Sequence, residues 1–129
     1  IAGPVMAEHV MALVLAHARG LPGYVLAQRE GRWARGGAAA VTGLPSLPNG
    51  DLPAFTLVGK TMVVVGFGGV GTEVARRAHA FGMRVLAIRN SKADPPSFVE
   101  RMGVQADLPA YVREADIVVD TLPLTNDTR

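Results

Sequence analysis

With 129 residues, 49% of them hydrophobic and 19% charged, the chain has the composition of one globular domain, which excludes a fibre or an extended disordered tail. Its 13 basic and 11 acidic residues leave a net charge of +2, with no basic run and few aromatics, so nucleic acid is not an expected partner. The absence of cysteine excludes a disulfide framework, a thiolate metal site and a cysteine nucleophile, and fits a reducing cytoplasm.

Pro4 is placed to open a helix, and Met6, Val10, Leu13, Val14 and His17 recur at helical spacing up to a break at Gly20-Leu21-Pro22-Gly23. The longest apolar stretch, Val10 to Ala16, is too short to cross a bilayer, and no basic start with a small-residue cleavage site marks a signal peptide. A cytoplasmic protein without a membrane partner is therefore expected. A second helix runs from Tyr24 to Glu30, and residues 31–55 then lose periodicity and gather glycine and proline, the mark of an irregular connection.

Met62 to Val65 is a short, continuously apolar run, as expected of a strand covered on both faces of a parallel sheet. Val70, Val74, Ala78 and Phe81 fall on one helical stripe that Gly82 can end in a left-handed turn. Val85 to Ile88 is the next buried strand. Asp94 with Pro95 and Pro96 reads as a helix start, Phe98 to Met102 as its body and Gly103 as its stop, with a short strand near Val104 and Gln105. Asp107 caps a helix through Tyr111, Val112 and Ala115, and Ile117 to Thr121 is a last buried strand. Alternation of this kind implies an α/β fold, a doubly wound parallel sheet with helices on both faces. The organisation expected is one partial domain: leading helices (1–30), the connection (31–55) and a βαβαβ portion (56–129). A chain that starts at Ile1 and stops at Arg129, directly after a strand, is expected to be a piece of a longer protein.

Gly66-Phe67-Gly68-Gly69-Val70-Gly71 matches G-x-G-x-x-G, and it lies where that motif has meaning, between a strand and a helix. Gly66 permits the turn out of the strand, Gly68 leaves the backbone open to a pyrophosphate, and Gly71 lets helix and strand pack closely. The N–H groups of Gly69 and Val70 point at the phosphates from the positive end of the helix. In an NAD site an acid ends the second strand about 20 residues beyond the loop. This chain has Arg89 there, followed by Asn90, Ser91 and Lys92. A guanidinium suits the 2′-phosphate of NADP, so NADPH is expected over NADH.

Three stretches together resemble the D-isomer-specific 2-hydroxyacid dehydrogenases. "VMAEHVMALVLAHARGLPGYVLAQREGRW" resembles the helix leading into their nucleotide-binding domain, "LVGKTMVVVGFGGVGTEVARRAHAFGMRVLAIRN" their dinucleotide fingerprint, and "EADIVVDTLPLTNDTR" the strand and loop toward the nicotinamide side. The resemblance implies a Rossmann-type domain with Gly69 and Val70 on the pyrophosphate, Arg89 at the adenosine ribose, and Leu122, Pro123 and Thr128 along the cofactor's far side. Most NAD-using members carry aspartate where Arg89 stands, and basic residues there mark NADPH-preferring members, among them glyoxylate and hydroxypyruvate reductases. The resemblance further implies hydride transfer between NAD(P)H and a small 2-keto or 2-hydroxy acid, and a homodimer formed through this domain. The family's catalytic arginine, acid and histidine lie beyond "LPLTNDTR", so no catalytic residue is assigned in this chain.

Other residues invite different readings. His9 has no second ligand at helical spacing and is expected to be structural or at a hinge, His17 is expected at a core or interface, and His79 is expected on the surface. No metal site follows from them. Asp116 marks the entry to the last strand, and Asp120 either approaches the cofactor or ends that strand. Arg76 and Arg77 are expected on the solvated side of their helix, within reach of Glu73. Two other function classes compete: another Rossmann-type enzyme, such as a short-chain dehydrogenase or a methyltransferase, and a non-catalytic nucleotide-binding module. Against the first, neither Tyr24 nor Tyr111 is followed by lysine four residues later, and adenosylmethionine would want an acid at Arg89.

Overall fold

A computed structural model describes residues 2–31, 33, 55–126 and 128. Most of the irregular connection expected over 31–55 lies outside the described residues. The chain divides into two compact units, one of Ile1–Met11 with Leu57–Arg129 and the other Ala12–Thr56.

Helix α1 (Ala2–Ala18) begins two residues before Pro4, which the first turn accommodates because N–H groups there have no intrahelical acceptor. Its buried positions are Ala7, Met11 and Ala18, while Met6 and Leu13 are exposed. The expected stripe through Met6, Val10 and Leu13 is thus rotated by about one residue, because small alanines fill the inward positions that periodicity alone gives to larger side chains. Helix α2 (Leu21–Arg29) starts directly after Gly20, whose φ of 64° makes the turn. The break is two residues long, Arg19 and Gly20, and Pro22 and Gly23 belong to the helix rather than to a loop. Among the described residues no single helix is long and apolar enough to cross a membrane.

The first unit carries a four-stranded parallel sheet in the order β3-β2-β1-β4: β1 (Thr61–Val65), β2 (Arg84–Ile88), β3 (Arg101–Gly103) and β4 (Ile117–Asp120). Helix α3 (Gly69–Ala80) follows β1, and α4 (Leu108–Glu114) follows β3 through a 3₁₀ turn at Gln105–Asp107. All five residues of β1 are buried. Alternation sends Val63 and Val65 to the face where Leu108, Tyr111 and Ala115 pack with Leu86 and Ile88. Val64 points the other way, against Gly71 of α3. Helices therefore cover both faces of the sheet, as the apolar runs predict.

Three expectations are corrected. Phe81 is not on the buried stripe of α3; it is the C-cap residue and is largely exposed, and Gly82, with φ of 76°, makes the left-handed turn after it. Residues 94–103 form no helix. Pro95 and Pro96 lack N–H groups, a turn closes from Val99 N–H to the Pro96 carbonyl, and Glu100 N–H donates to the Val85 carbonyl (2.8 Å), which draws the segment onto the edge of β2 as β3. Finally, β4 is half exposed: it is an edge strand in which only Val119 is buried, and Val118 keeps 49% of its surface.

Candidate functional site

The site is assembled where β1, β2 and β4 end. The chain runs outward from β1 through β2 to β3 and then returns to the other side of β1 as β4, so connections diverge between β1 and β4. A crevice at such a switch point, beyond the carboxyl ends of the strands, is where open α/β sheets bind ligands. Here a cleft of about 700 Å³ is lined by Gly66 at the end of β1, Arg89 and Asn90 at the end of β2, and Leu122, Pro123 and Thr128 beyond β4. A second, smaller hollow of about 240 Å³ lies over the glycine turn, between Phe67, Gly68, Arg89, Asn90 and Ser91.

The turn itself is fixed by hydrogen bonds that use up some backbone groups and leave others. Gly66 N–H (2.9 Å) and Phe67 N–H (3.1 Å) both donate to the Ile88 carbonyl, and Gly68 N–H donates to the Gly66 carbonyl (3.0 Å). Thr72 N–H reaches the Gly68 carbonyl (2.9 Å), closing the first turn of α3. The N–H groups of Gly69, Val70 and Gly71 have no acceptor among the described residues. No acid stands in the first turn of α3 to neutralise that positive end. These are the donors that the motif offers to a pyrophosphate.

Two of the glycines are demanded by the protein and one is not. Gly66 has φ of 89°, and a Cβ there would lie 2.9 Å from Leu122 Cδ2. A Cβ on Gly71 would overlap the Gly66 carbonyl oxygen and crowd Thr121 Oγ1 at 3.0 Å. Gly68 is extended, with φ of −100°, and a Cβ on it would meet no atom of the described residues within 4 Å. Nothing in the fold needs glycine at 68, so the open backbone there fits a ligand that approaches closely. The glycine turn therefore passes the test that an anionic dinucleotide sets.

Arg89 follows β2 and is partly buried, with its N–H donating to the Gly103 carbonyl (3.0 Å). Its guanidinium has no acid partner and no hydrogen-bond acceptor among the described residues, although it lines both the cleft and the hollow. Four other arginines of this unit are committed: Arg84 to Glu100 (2.7 Å), Arg101 to Glu114 (2.5 Å), Arg77 to Glu73 (2.6 Å) and Arg76 to Glu73 (3.7 Å). Arg77 is less solvated than expected, since Glu8 lies on its other side at 3.7 Å.

Beyond β4 the chain folds back on itself. Thr128 Oγ1 donates to the Pro123 carbonyl (2.7 Å) and accepts from Thr125 N–H (2.8 Å), which shapes that wall of the cleft. Asp120 ends β4 and accepts from Leu122 N–H (2.9 Å). Asp116 stands before the strand, accepting from Thr61 N–H (2.8 Å) and pairing with Lys60 (3.3 Å). The Thr61 bond first, and Lys60 second, hold its carboxyl below the usual value. The Val70 side chain is separated from the cleft. It lines a more apolar depression of about 540 Å³ with Met6, His9, Asp120 and Leu122, so only its backbone belongs with the phosphate donors. His9 and His79 are exposed; His17 is exposed too, rather than in a core, with its ring edge-on to Phe55 at 6.0 Å.

Residues that the sequence reading did not single out also line the cleft: Gln105, Leu108 and Thr125. Thr121, at the rim of the hollow, donates its hydroxyl to the Gly66 carbonyl (2.6 Å). A hydroxyl at the end of the strand next to the glycine strand was the available signal for Thr121. Gln105 and Leu108 carried none, because their place depends on where β3 pairs.

Residues 11–129 match the family model described as D-isomer specific 2-hydroxyacid dehydrogenase, NAD binding domain. The chain is 34% identical over 126 residues to a hydroxypyruvate reductase of Thermotoga maritima, covering 98% of this chain and 35% of that one. It is 37% identical over 124 residues to a glyoxylate reductase of Thermococcus kodakarensis, covering 95% and 34%. Among solved structures, an NADPH-dependent glyoxylate/hydroxypyruvate reductase of Sinorhizobium meliloti in complex with NADP and sulfate superimposes with a TM-score of 0.73 at 28% identity, over 96% of this chain and 34% of that one. The chain thus spans about a third of the length of the relatives it matches. A glycine turn with free helix donors, set at the switch point of a parallel sheet, agrees with that match over nearly the whole sequence: the chain belongs to the D-isomer-specific 2-hydroxyacid dehydrogenase family, as its NAD-binding domain.

Proposed function

We propose that this chain is the cofactor-binding part of an oxidoreductase that reduces a small 2-keto acid, such as glyoxylate or hydroxypyruvate, with NADPH preferred over NADH. The observation that carries the cofactor preference is Arg89: it directly follows β2, where an NAD site has an acid, and beside the glycine turn its guanidinium has no partner among the described residues. The names of the two relatives and of the NADP-bound neighbour support the substrate class.

In this reading Gly69 and Val70 hold the pyrophosphate through their N–H groups, and Gly66, Gly68 and Gly71 give it room. Arg89 takes the 2′-phosphate in two-pronged geometry, with Asn90 beside it. Phe67, Leu122, Pro123 and Thr128 shape the walls along the dinucleotide. The bound nicotinamide supplies the hydride for the 2-keto carbonyl. The acid/base and carboxylate-binding groups belong to parts of the parent protein outside this chain. A homodimer formed through this domain and a cytoplasmic location complete the proposal; exposed Leu13, Leu21 and Val25 offer apolar surface for the former.

The test is Arg89→Asp. Losing a charge-assisted pair of about 1.5–3 kcal/mol should weaken NADPH roughly ten- to hundredfold, while the new carboxylate can accept from the ribose hydroxyls of NADH. The ratio of the two affinities should invert. An unchanged ratio removes Arg89 from the site and returns it to the surface.

A further inference from the structure

The hydroxyl of Thr121, directly after β4, borders the glycine turn. We propose that Thr121 is a positioning residue for dinucleotide binding, a latch that sets the Gly66–Phe67 peptide plane; this rests on the dinucleotide reading above. Thr121 Oγ1 lies 2.6 Å from the Gly66 carbonyl oxygen and 3.1 Å from the Val65 carbonyl oxygen. A hydroxyl has one proton. The Val65 carbonyl is already engaged by Thr121 N–H at 2.8 Å, so the proton goes to Gly66, the shorter contact.

The Gly66 peptide needs such a hold. Its φ of 89° is open to glycine, and although Phe67 N–H on the Ile88 carbonyl (3.1 Å) ties the far side of the plane, no Cβ restrains the oxygen. The carbonyl oxygen sits under the first turn of α3, in the space that a Cβ on Gly71 would occupy. The same turn carries the N–H groups of Gly69, Val70 and Gly71, which have no acceptor among the described residues. A carbonyl that rotated outward would present its negative end to those donors, or to the phosphate they are meant to bind. With Gly68 N–H on one side (3.0 Å) and Thr121 on the other, the oxygen is pinned inward and the donors stay available. The latch acts on the pyrophosphate seat, which NADPH and NADH share, and is independent of Arg89.

The experiment titrates the wild-type chain, Thr121→Val and Thr121→Ser with NADPH and with NADH, and follows amide exchange at Val63 in the sheet core. The valine variant should bind both dinucleotides about tenfold more weakly, with their ratio and the Val63 exchange unchanged. The serine variant should stay within about twofold of wild type, because it keeps the donor. Parallel loss of Val63 protection would show a merely structural role and overturn the latch. So would valine binding as tightly as wild type, which leaves the dinucleotide reading standing. Wild type binding neither dinucleotide overturns both. If the valine variant does not fold, Thr121→Cys, close to serine in size but with only a weak S–H donor, carries the same comparison.

Discussion

Gly68→Ala and Gly71→Ala place the same methyl group three residues apart in one turn, and the structure predicts opposite consequences. At 71 the new Cβ overlaps the Gly66 carbonyl oxygen and stands 3.1 Å from Val64 Cγ1. The oxygen is held by Gly68 N–H at 3.0 Å and Thr121 Oγ1 at 2.6 Å, and Val64 is fully buried, so neither neighbour can move freely. Overpacking of this kind costs about 1–3 kcal/mol, and each hydrogen bond broken adds about 1 kcal/mol, against about 1 kcal/mol gained from alanine's better helix propensity. Gly71→Ala should therefore lose about 2 kcal/mol, a large share of a typical stability of about 5–15 kcal/mol. At 68 the Cβ meets no described atom and the backbone is extended, so a less flexible unfolded chain offsets alanine's poorer fit as N-cap residue and the variant should stay within about 1 kcal/mol of wild type. Its defect should appear only with ligand: a methyl that holds the phosphate off the N–H groups forfeits a charge-assisted hydrogen bond, roughly ten- to hundredfold in affinity. Urea unfolding of both variants, followed by NADPH titration of each, checks this. Equal stability losses at 68 and 71, or none at 71, would refute the reasoning.

Further outcomes follow from the core and the charges. Leu86→Ala, in the centre of the sheet and fully buried, should cost about 2–5 kcal/mol in urea unfolding, whereas the exposed Leu124→Ala should change little. Asp116 and Glu100 have carboxyls held below their usual values, Asp116 first by Thr61 N–H and Glu100 first by the Arg84 guanidinium. A depressed carboxyl contributes stability that is full above its unfolded value, about pH 4, and is lost as the pH falls through the folded value. The urea midpoint should accordingly drop on acidification below about pH 4, and Asp116→Asn should flatten that drop while leaving the neutral-to-alkaline side level. A variant whose acid limb matches wild type would remove Asp116 from this role.

Much of the sheet was legible because its pattern is strong. The apolar runs at 62–65 and 85–88 are too short for helices and rich in valine, which marks them as strands covered on both faces, and the glycine turn between strand and helix located the crevice. Arg89 stood out for a related reason: it occupies the position after the second strand where an NAD site has an acid. Where the reading failed, a contact distant in sequence overrode a local signal. Asp94-Pro95-Pro96 looks like a helix start, yet Glu100 N–H finds the Val85 carbonyl and the segment pairs as β3. Stripe rotation in α1 has a different origin. Periodicity weights large side chains, and close packing took Ala7 and Ala18 instead of Met6 and Leu13. Thr121 was missed because its importance lies in one proton given to a carbonyl 55 residues away, which no spacing rule encodes.

Calorimetric titration of the folded chain with NADPH and with NADH asks at once whether the glycine turn seats a dinucleotide and whether Arg89 selects the one with a 2′-phosphate. Both should bind, and NADPH should bind roughly ten- to hundredfold more tightly, the worth of one charge-assisted Arg–phosphate pair. NADH binding as tightly as NADPH would contradict the role of Arg89, and a folded chain that binds neither would contradict the site itself.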